Sequence, residues 1–354
     1  MKDIFSKLCN KYDLGGLMEE PVMITGGLMH KMYKVVTGQG SYAVKVLNPD
    51  IMKRPEALQN MINSERVSNE LREVVSLIAA KEFGNHHVSE EGGMYFMVFD
   101  WIEGKPIYAP EIWEYHCEQI GRMLGKIHAA DIRIDGIKKE VSSRKAYNWS
   151  DFLKEAEVQN IKKNAGEKRE ENPEEDWISL FEKEVPHIIR WDIQVTESQE
   201  KLAGYQVISH RDLDPKNVMW KEKNPYIIDW EAAGYVNPYQ ELVEVLNYWI
   251  VDAEGTYDYG MFQALIKAYT ESMDISAVDW EDVLKCSYDG MLGWLEYNIK
   301  RALGLTGSRE EDRREGRQQV IGTIGELKRY EAQTEQLKEW LMDRQMCLTK
   351  RNSI

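Results

Sequence analysis

The sequence predicts an α+β fold of two lobes: an N-terminal antiparallel sheet with one helix over 1–102, then a larger, mostly helical lobe over 103–354. Three observations predict it. The runs VMITGGLMHKMYKVV and SYAVKVL, separated by TGQG, alternate apolar and polar residues around Gly-rich turns, the two-residue period of strands. From Pro55 to Phe83 the period lengthens to that of a helix, with Leu58, Met61, Ile62, Leu71, Val74, Leu77 and Ile78 as its apolar face and Gly84 as its stop. GGMYFMVFDWI (92–102) returns to a strand hairpin, and after the turn Glu103-Gly104-Lys105-Pro106 the patterns are mostly helical.

The second lobe begins with a helix over Ile112–Ala130, whose apolar side holds Ile120, Met123, Leu124 and Ile127, with His128 as a packed histidine. Residues 131–205 form a charged helical insert, interrupted by the run NAGEKREENPEED, which reads as a solvated loop. Beyond Tyr239 helices continue to Leu341.

Bulk properties narrow the functional classes. A chain of 354 residues, 43% hydrophobic and 10% aromatic, buries a real core. Cys9, Cys117, Cys286 and Cys347 lie far apart with no CxxC pair, the usage expected of structural thiols in a reducing, cytoplasmic setting. The start lacks a basic segment followed by an apolar core, and no stretch approaches the roughly 20 apolar residues that cross a bilayer. No membrane partner is expected. A net charge of -15 repels nucleic acid and anionic lipid and is compatible with a cationic ligand.

The chemistry concentrates in VISHRDLDPKNVMWKEKNPYIIDWEAAG. Two strand-like runs, Gln206–Ser209 and Tyr226–Ile228, flank HRDLDPKN, and Asp229, Trp230 and Glu231 follow the second. Phosphoryl transfer needs a phosphoryl group in line with an acceptor hydroxyl, cations on its oxygens and an acceptor for the hydroxyl proton. A loop presenting Asp212 and, five residues on, Asn217 suits a hydroxyl and a metal; Asp229 at a strand end adds the main carboxylate for a hard cation such as Mg²⁺.

The pattern HxDxxxxN followed by an apolar run ending in Asp resembles protein-kinase-like enzymes. The form IIDWEAAG resembles their aminoglycoside-phosphotransferase and choline-kinase branch. The resemblance implies a protein-kinase-like fold, with Asp212 as catalytic base, Asn217 and Asp229 as metal ligands, and His210 as an internal scaffold. Arg211 stands where many antibiotic kinases have glycine and leaves the subfamily open.

The same resemblance organises 1–102 as a nucleotide-binding lobe for ATP with Mg²⁺. Gly26 and Gly27 form a turn that lets backbone approach a phosphate, with His30 at the position usually held by Asn. Tyr42-Ala43-Val44-Lys45 resembles the V-A-I-K strand, which makes Lys45 the phosphate contact. A carboxylate from the next helix should orient it; Glu65, Glu70 and Glu73 all qualify, and Glu70 leads because Val74 and Ile78 place it beside the apolar stripe. The backbone at Asp100, Trp101 and Ile102 would bind adenine.

On the acceptor side Glu241 reads as structural, and Glu231, Trp294 and Glu296, with Trp249, Asp252 and Tyr297 nearby in pattern, are candidates for a cationic small-molecule substrate. Three readings stay open: a kinase for aminoglycosides or similar cations, a metabolite kinase of choline, homoserine, thioribose or fructosamine type, and a non-catalytic nucleotide-binding member. The third is disfavoured because every expected catalytic residue is present. No A-P-E segment follows DWE, which disfavours a protein kinase, and no GxxxxGK[ST] loop occurs.

Overall fold

The computed structural model describes residues 2–24, 30–84, 86–139, 145–164, 177–306 and 309–352. The predicted phosphate-loop glycines Gly26 and Gly27, and the charged run 165–176, lie outside the described residues. The chain divides into two compact units. One comprises Met1–Lys139, Val207–Val236 and Tyr259–Met273; the other comprises Glu140–Gln206, Asn237–Asp258 and Asp274–Ile354.

The first unit holds the antiparallel sheet that the alternation predicts. Strands β1 (Val22–Ile24), β2 (Lys31–Thr37), β3 (Gly40–Val46), β4 (Ser89–Glu91) and β5 (Met94–Asp100) lie in the order β1-β2-β3-β5-β4. Alternation assigns the faces. Val35, Val44, Phe96 and Val98 turn to one side and pack with Phe5 and Leu8 of helix α1 (Lys2–Lys11), a helix the sequence reading did not foresee. Leu47 and Met97 pack on the other side with Met61 and Ala80. Lys45 pairs in register with Met32 and Met97.

The helix expected over Pro55–Phe83 is shorter. Helix α2 (Pro49–Met52) is one turn, and α3 (Ala57–Leu71) ends at Arg72. The apolar run after it makes different hydrogen bonds: Ile78 N donates to Ile227 O at 2.9 Å and Ile227 N to Ser76 O at 3.1 Å. A parallel bridge between Leu77 and Ile227 thus replaces two more helical turns. The remainder of this unit contains α4 (Glu114–Ala129), β6 (Val207–Ser209), the hairpin β7 (Val218–Lys221) and β8 (Asn224–Ile227), and β9 (Gly234–Val236). The two strand-like runs around HRDLDPKN do not pair with each other; β6 pairs with β9, and β7 with β8.

The insert forms α5 (Trp149–Asn164) and α6 (Trp177–Leu202), followed by α7 (Pro238–Trp249). Helix α8 (Tyr259–Tyr269) packs on α4 within the first unit, and His128 is buried there with Nδ1 2.9 Å from the Tyr269 hydroxyl. Helices α9 (Trp280–Cys286), α10 (Asp289–Ala302) and α11 (Glu310–Asn352) complete the second unit. Three buried acids there have close partners: Glu184 with Lys328 at 2.6 Å, Asp282 with Lys201 at 2.7 Å, and Asp192 with the Trp149 indole at 2.8 Å. Among the described residues no helix is long and apolar enough to cross a membrane.

Candidate active site

The loop leaving β6 is held by the ring of His210, which is fully buried. His210 Nε2 lies 3.0 Å from Ile228 O, and the Asp212 amide reaches Nδ1 at 3.3 Å. One neutral tautomer satisfies both, with Nε2–H donating and Nδ1 accepting. The ring therefore clips the start of HRDLDPKN to the residue before Asp229, and Trp230 meets it edge-on at 4.7 Å. This is the scaffold role predicted for His210.

Asn217 closes the loop from the other end. Its Nδ2 donates to Asp212 O at 2.7 Å and to Asp212 Oδ2 at 2.8 Å, while its own carbonyl accepts from Ile228 N at 2.9 Å. With the amide nitrogen engaged on Asp212, the amide oxygen is turned away from it. Asp212, Asn217 and the strand end that delivers Asp229 are thus joined directly. Lys216, which the sequence reading passed over, places Nζ 3.1 Å from Asp212 Oδ1 and 3.4 Å from Asp214 Oδ2. Asp214 itself accepts from Lys216 N at 2.8 Å and caps the 3₁₀ turn Pro215–Asn217. Burial pushes the Asp212 carboxyl above its ordinary value, and the nearby Lys216 ammonium only partly opposes this.

Two residues of the site have left-handed backbones without being glycine: Arg211 at φ 66° and Asp229 at φ 60°. Such conformations cost energy and are kept only where surrounding contacts hold them. At Arg211 glycine would adopt the same backbone without strain. Gly234 helps to accommodate the arginine: a Cβ there would lie 3.0 Å from Arg211 Nη1.

Lys45 is buried, and its Nζ donates to Asp229 Oδ1 at 3.0 Å and to Glu231 Oε1. Burial alone would pull its pKa down, but Asp229 and Glu231 reverse the sign and hold it raised. Burial likewise pushes the Glu231 carboxyl up; the His30 ring and the Lys45 ammonium outweigh that and hold it at about 2. His30 Nε2 lies 3.2 Å from Glu231 Oε2.

Several sequence expectations are corrected. Glu231, a candidate for the substrate, faces Lys45 and His30 instead. Glu70, the leading partner for Lys45, is exposed, because α3 ends before Val74 and Ile78 can extend its apolar stripe. Glu73 is exposed as well. Glu65 is the buried one, 3% exposed, with Oε2 accepting from Ala80 N at 2.7 Å and from Ser68 Oγ at 3.1 Å. Burial pushes its carboxyl up, and Lys45 is close enough to pull it partly back.

In the predicted adenine segment, Trp101 N already donates to Ser41 O at 3.1 Å and Ile102 O accepts from Gly104 N at 3.1 Å, so the Trp101 amide drops out as a contact for a base. Asp100 turns its side chain to Lys81 at 2.8 Å. Trp294 and Glu296 lie on α10 in the second unit. The Trp294 indole donates to Gln319 and stacks on Tyr297, and Glu296 pairs with Lys300, so each has a local partner. Trp249 is fully buried core, and Asp252 accepts from Glu254 N and Thr256 N within a turn. Glu241 is buried at the first turn of α7, in keeping with a structural role.

Among the described residues no group of three or more His, Cys, Asp and Glu side chains could hold a metal ion. Asp229 and Asn217 would offer one carboxylate and one amide oxygen. That sparse, all-oxygen donor set fits a hard cation that keeps waters and takes further oxygens from a bound phosphate.

The profile of the Phosphotransferase enzyme family matches residues 23–275, a span that includes Lys45, the His210–Asn217 loop and Asp229. The chain belongs to that family. It is therefore a phosphotransferase enzyme that acts on hydroxyl acceptors, with the protein-kinase-like α+β fold predicted. Among curated proteins, a homoserine kinase from Methylobacillus glycogenes is 21% identical over 290 residues, covering 80% of each chain. Among solved structures, a spectinomycin phosphotransferase in complex with ADP and spectinomycin superposes with a TM-score of 0.66 at 14% identity, covering 91% of this chain and 94% of that one. A choline kinase from Cryptosporidium parvum gives 0.59 at 14% identity, covering 97% and 100%. At that identity the phosphotransferase shares a fold with these structures; its acceptor is a separate question.

Proposed function

We propose that the protein is an ATP- and Mg²⁺-dependent kinase that transfers the γ-phosphoryl group to a hydroxyl of a small molecule, with an aminoglycoside or similar cationic compound as the leading acceptor. The observation that carries this reading is the stitched cluster of His210, Asp212, Asn217 and the Ile228–Asp229 strand end, completed by Lys45. Asp212 accepts the hydroxyl proton and orients the acceptor oxygen. Its position is set through Asn217 Nδ2 and the His210 ring, so it enters the reaction already oriented. Asp229 and the Asn217 amide oxygen would hold Mg²⁺, which when bound neutralises charge on the phosphate oxygens. Lys45 is a buried ammonium suited to the α/β-phosphates, and the backbone of Asp100 and Ile102 is the remaining candidate for adenine. Gly26 and Gly27 stay candidates for the phosphate turn.

A second reading, a metabolite kinase for an amino alcohol, is favoured by one observation: a curated relative that aligns over 80% of the chain is a homoserine kinase. Both readings use the same chemistry. ATP consumption measured against aminoglycosides, choline-like amines and homoserine separates them: turnover with an aminoglycoside supports the first, turnover restricted to an amino alcohol the second. In either case Asp212→Asn should lower kcat by about a thousandfold or more in a folded protein. Undiminished turnover by that variant would sink the assignment.

A further inference from the structure

The β3 lysine of a kinase-like site needs a carboxylate to aim it, and a glutamate from the following helix is the usual supplier. Here that helix is α3, and Glu65 has its Oε2 committed to Ala80 N at 2.7 Å and Ser68 Oγ at 3.1 Å. The Lys45 ammonium instead bonds to Asp229 and Glu231. Asp229 is also the carboxylate assigned to the metal. Besides Asp229, Glu231 is the acid that Lys45 hydrogen-bonds, and its own orientation needs a cause.

The cause is His30. The ring is 6% exposed and sits at the entry to β2, where Lys31 pairs with Val46 across the β2–β3 hairpin. Asn48 N donates to His30 Nδ1 at 2.9 Å. An accepting Nδ1 puts the ring proton on Nε2. Nε2 lies 3.2 Å from Glu231 Oε2, a polar contact whose angle falls short of a hydrogen bond, while Oε1 of the same carboxylate takes Lys45. The groups form one path: Asn48 amide, His30, Glu231, Lys45, Asp229.

We propose that His30 is a positioning residue for nucleotide binding, fixing Glu231 so that Glu231, rather than an α3 glutamate, orients Lys45. The proposal rests on the kinase reading above. It also separates His30 from His210, the buried histidine of the catalytic loop, by task. His210 supports the base and the metal side through Asp212 N and Ile228 O; His30 supports only the lysine. Loss of His30 should therefore weaken nucleotide binding and leave the chemical step largely intact.

Side-chain geometry provides a test that preserves the fold. In His30→Asn the short amide oxygen can still accept from Asn48 N, but nothing reaches Glu231. In His30→Gln an amide donor returns at the reach of Nε2. Mg-ADP affinity by calorimetry and steady-state KM for Mg-ATP are the readouts, with melting temperature as the folding control. His30→Asn should weaken nucleotide binding about five- to tenfold with kcat within about threefold of wild type, and His30→Gln should recover most of the loss. In a Glu231→Gln background, His30→Asn should add little, because the two residues act in series.

Wild-type affinity in His30→Asn, equal loss in His30→Gln, or additive losses with Glu231→Gln would each overturn the proposal. A loss confined to kcat would overturn it too. Failure of the wild-type protein to bind Mg-ADP at all is a different result; it removes the kinase reading before any variant is compared.

Discussion

Asp212 is half-buried and has both carboxylate oxygens engaged, one by Asn217 Nδ2 and one by Lys216 Nζ. Burial raises its pKa and Lys216 opposes the rise. In the proposed role of base Asp212 works only when ionised, so turnover should fall as pH drops through a value above the ordinary 3.8 of aspartate. Lys216→Ala removes the opposing charge, so the acid limb of kcat against pH should move further up. An unmoved limb would mean that Lys216 is electrostatically idle. A second residue-scale expectation separates two glutamates five positions apart. Glu65→Ala strips a partner from the buried Ala80 amide and should cost about 1–3 kcal/mol. Glu70→Ala alters an exposed side chain and should change stability by under about 0.5 kcal/mol. Urea denaturation of the two variants checks the pair, and a Glu70 loss larger than that of Glu65 would make Glu70, not Glu65, the acid that holds the fold.

At the scale of elements, the β2–β3 hairpin and the β7–β8 hairpin each place one end of the site, and α4 packs on α8 at very short range. Gly121 in α4 makes that approach possible: a Cβ there would lie 2.2 Å from Leu265 O, a backbone atom that cannot swing aside. Gly121→Ala should therefore destabilise the protein by about 2 kcal/mol or more, through overpacking that forces the helices apart. Gly322 in α11 is the control, exposed and with nothing within 4 Å of its would-be Cβ. Gly322→Ala should stabilise by about 0.5–1 kcal/mol through helix propensity and a smaller unfolded-state entropy. Thermal melts of the two variants should shift in opposite directions.

At the scale of the whole molecule, ligand linkage gives a test that needs no knowledge of the acceptor. A ligand that binds the folded state alone stabilises it by about 2.7 kcal/mol when present at a hundred times its dissociation constant. Mg-ADP should accordingly raise the melting temperature of the wild-type protein. Asp229→Ala should abolish most of that increment at the same ligand concentration, since it removes the carboxylate proposed for the metal and one of the two acids on Lys45. An equal increment in the variant would move the metal site elsewhere.

The sequence by itself determined the strand and helix types of most elements, the antiparallel first lobe, and the His-Asp-Asn-Asp constellation, because these depend on residue identity and on spacing along a short stretch of chain. The buried place of His128 was legible for the same reason: it lies on the apolar side of a regular helix. The tertiary structure decided what spacing cannot encode. Lys45 meets Asp229 across 184 residues of sequence, so its partners follow from packing rather than periodicity. Where α3 stops depends on hydrogen bonds from residues 76–78 to Ile227, and that stop selects Glu65 over Glu70 as the buried acid. Glu231 was read as an acceptor-side acid and is instead held between His30 and Lys45, since a charge desolvated by burial goes to the nearest groups that can compensate it.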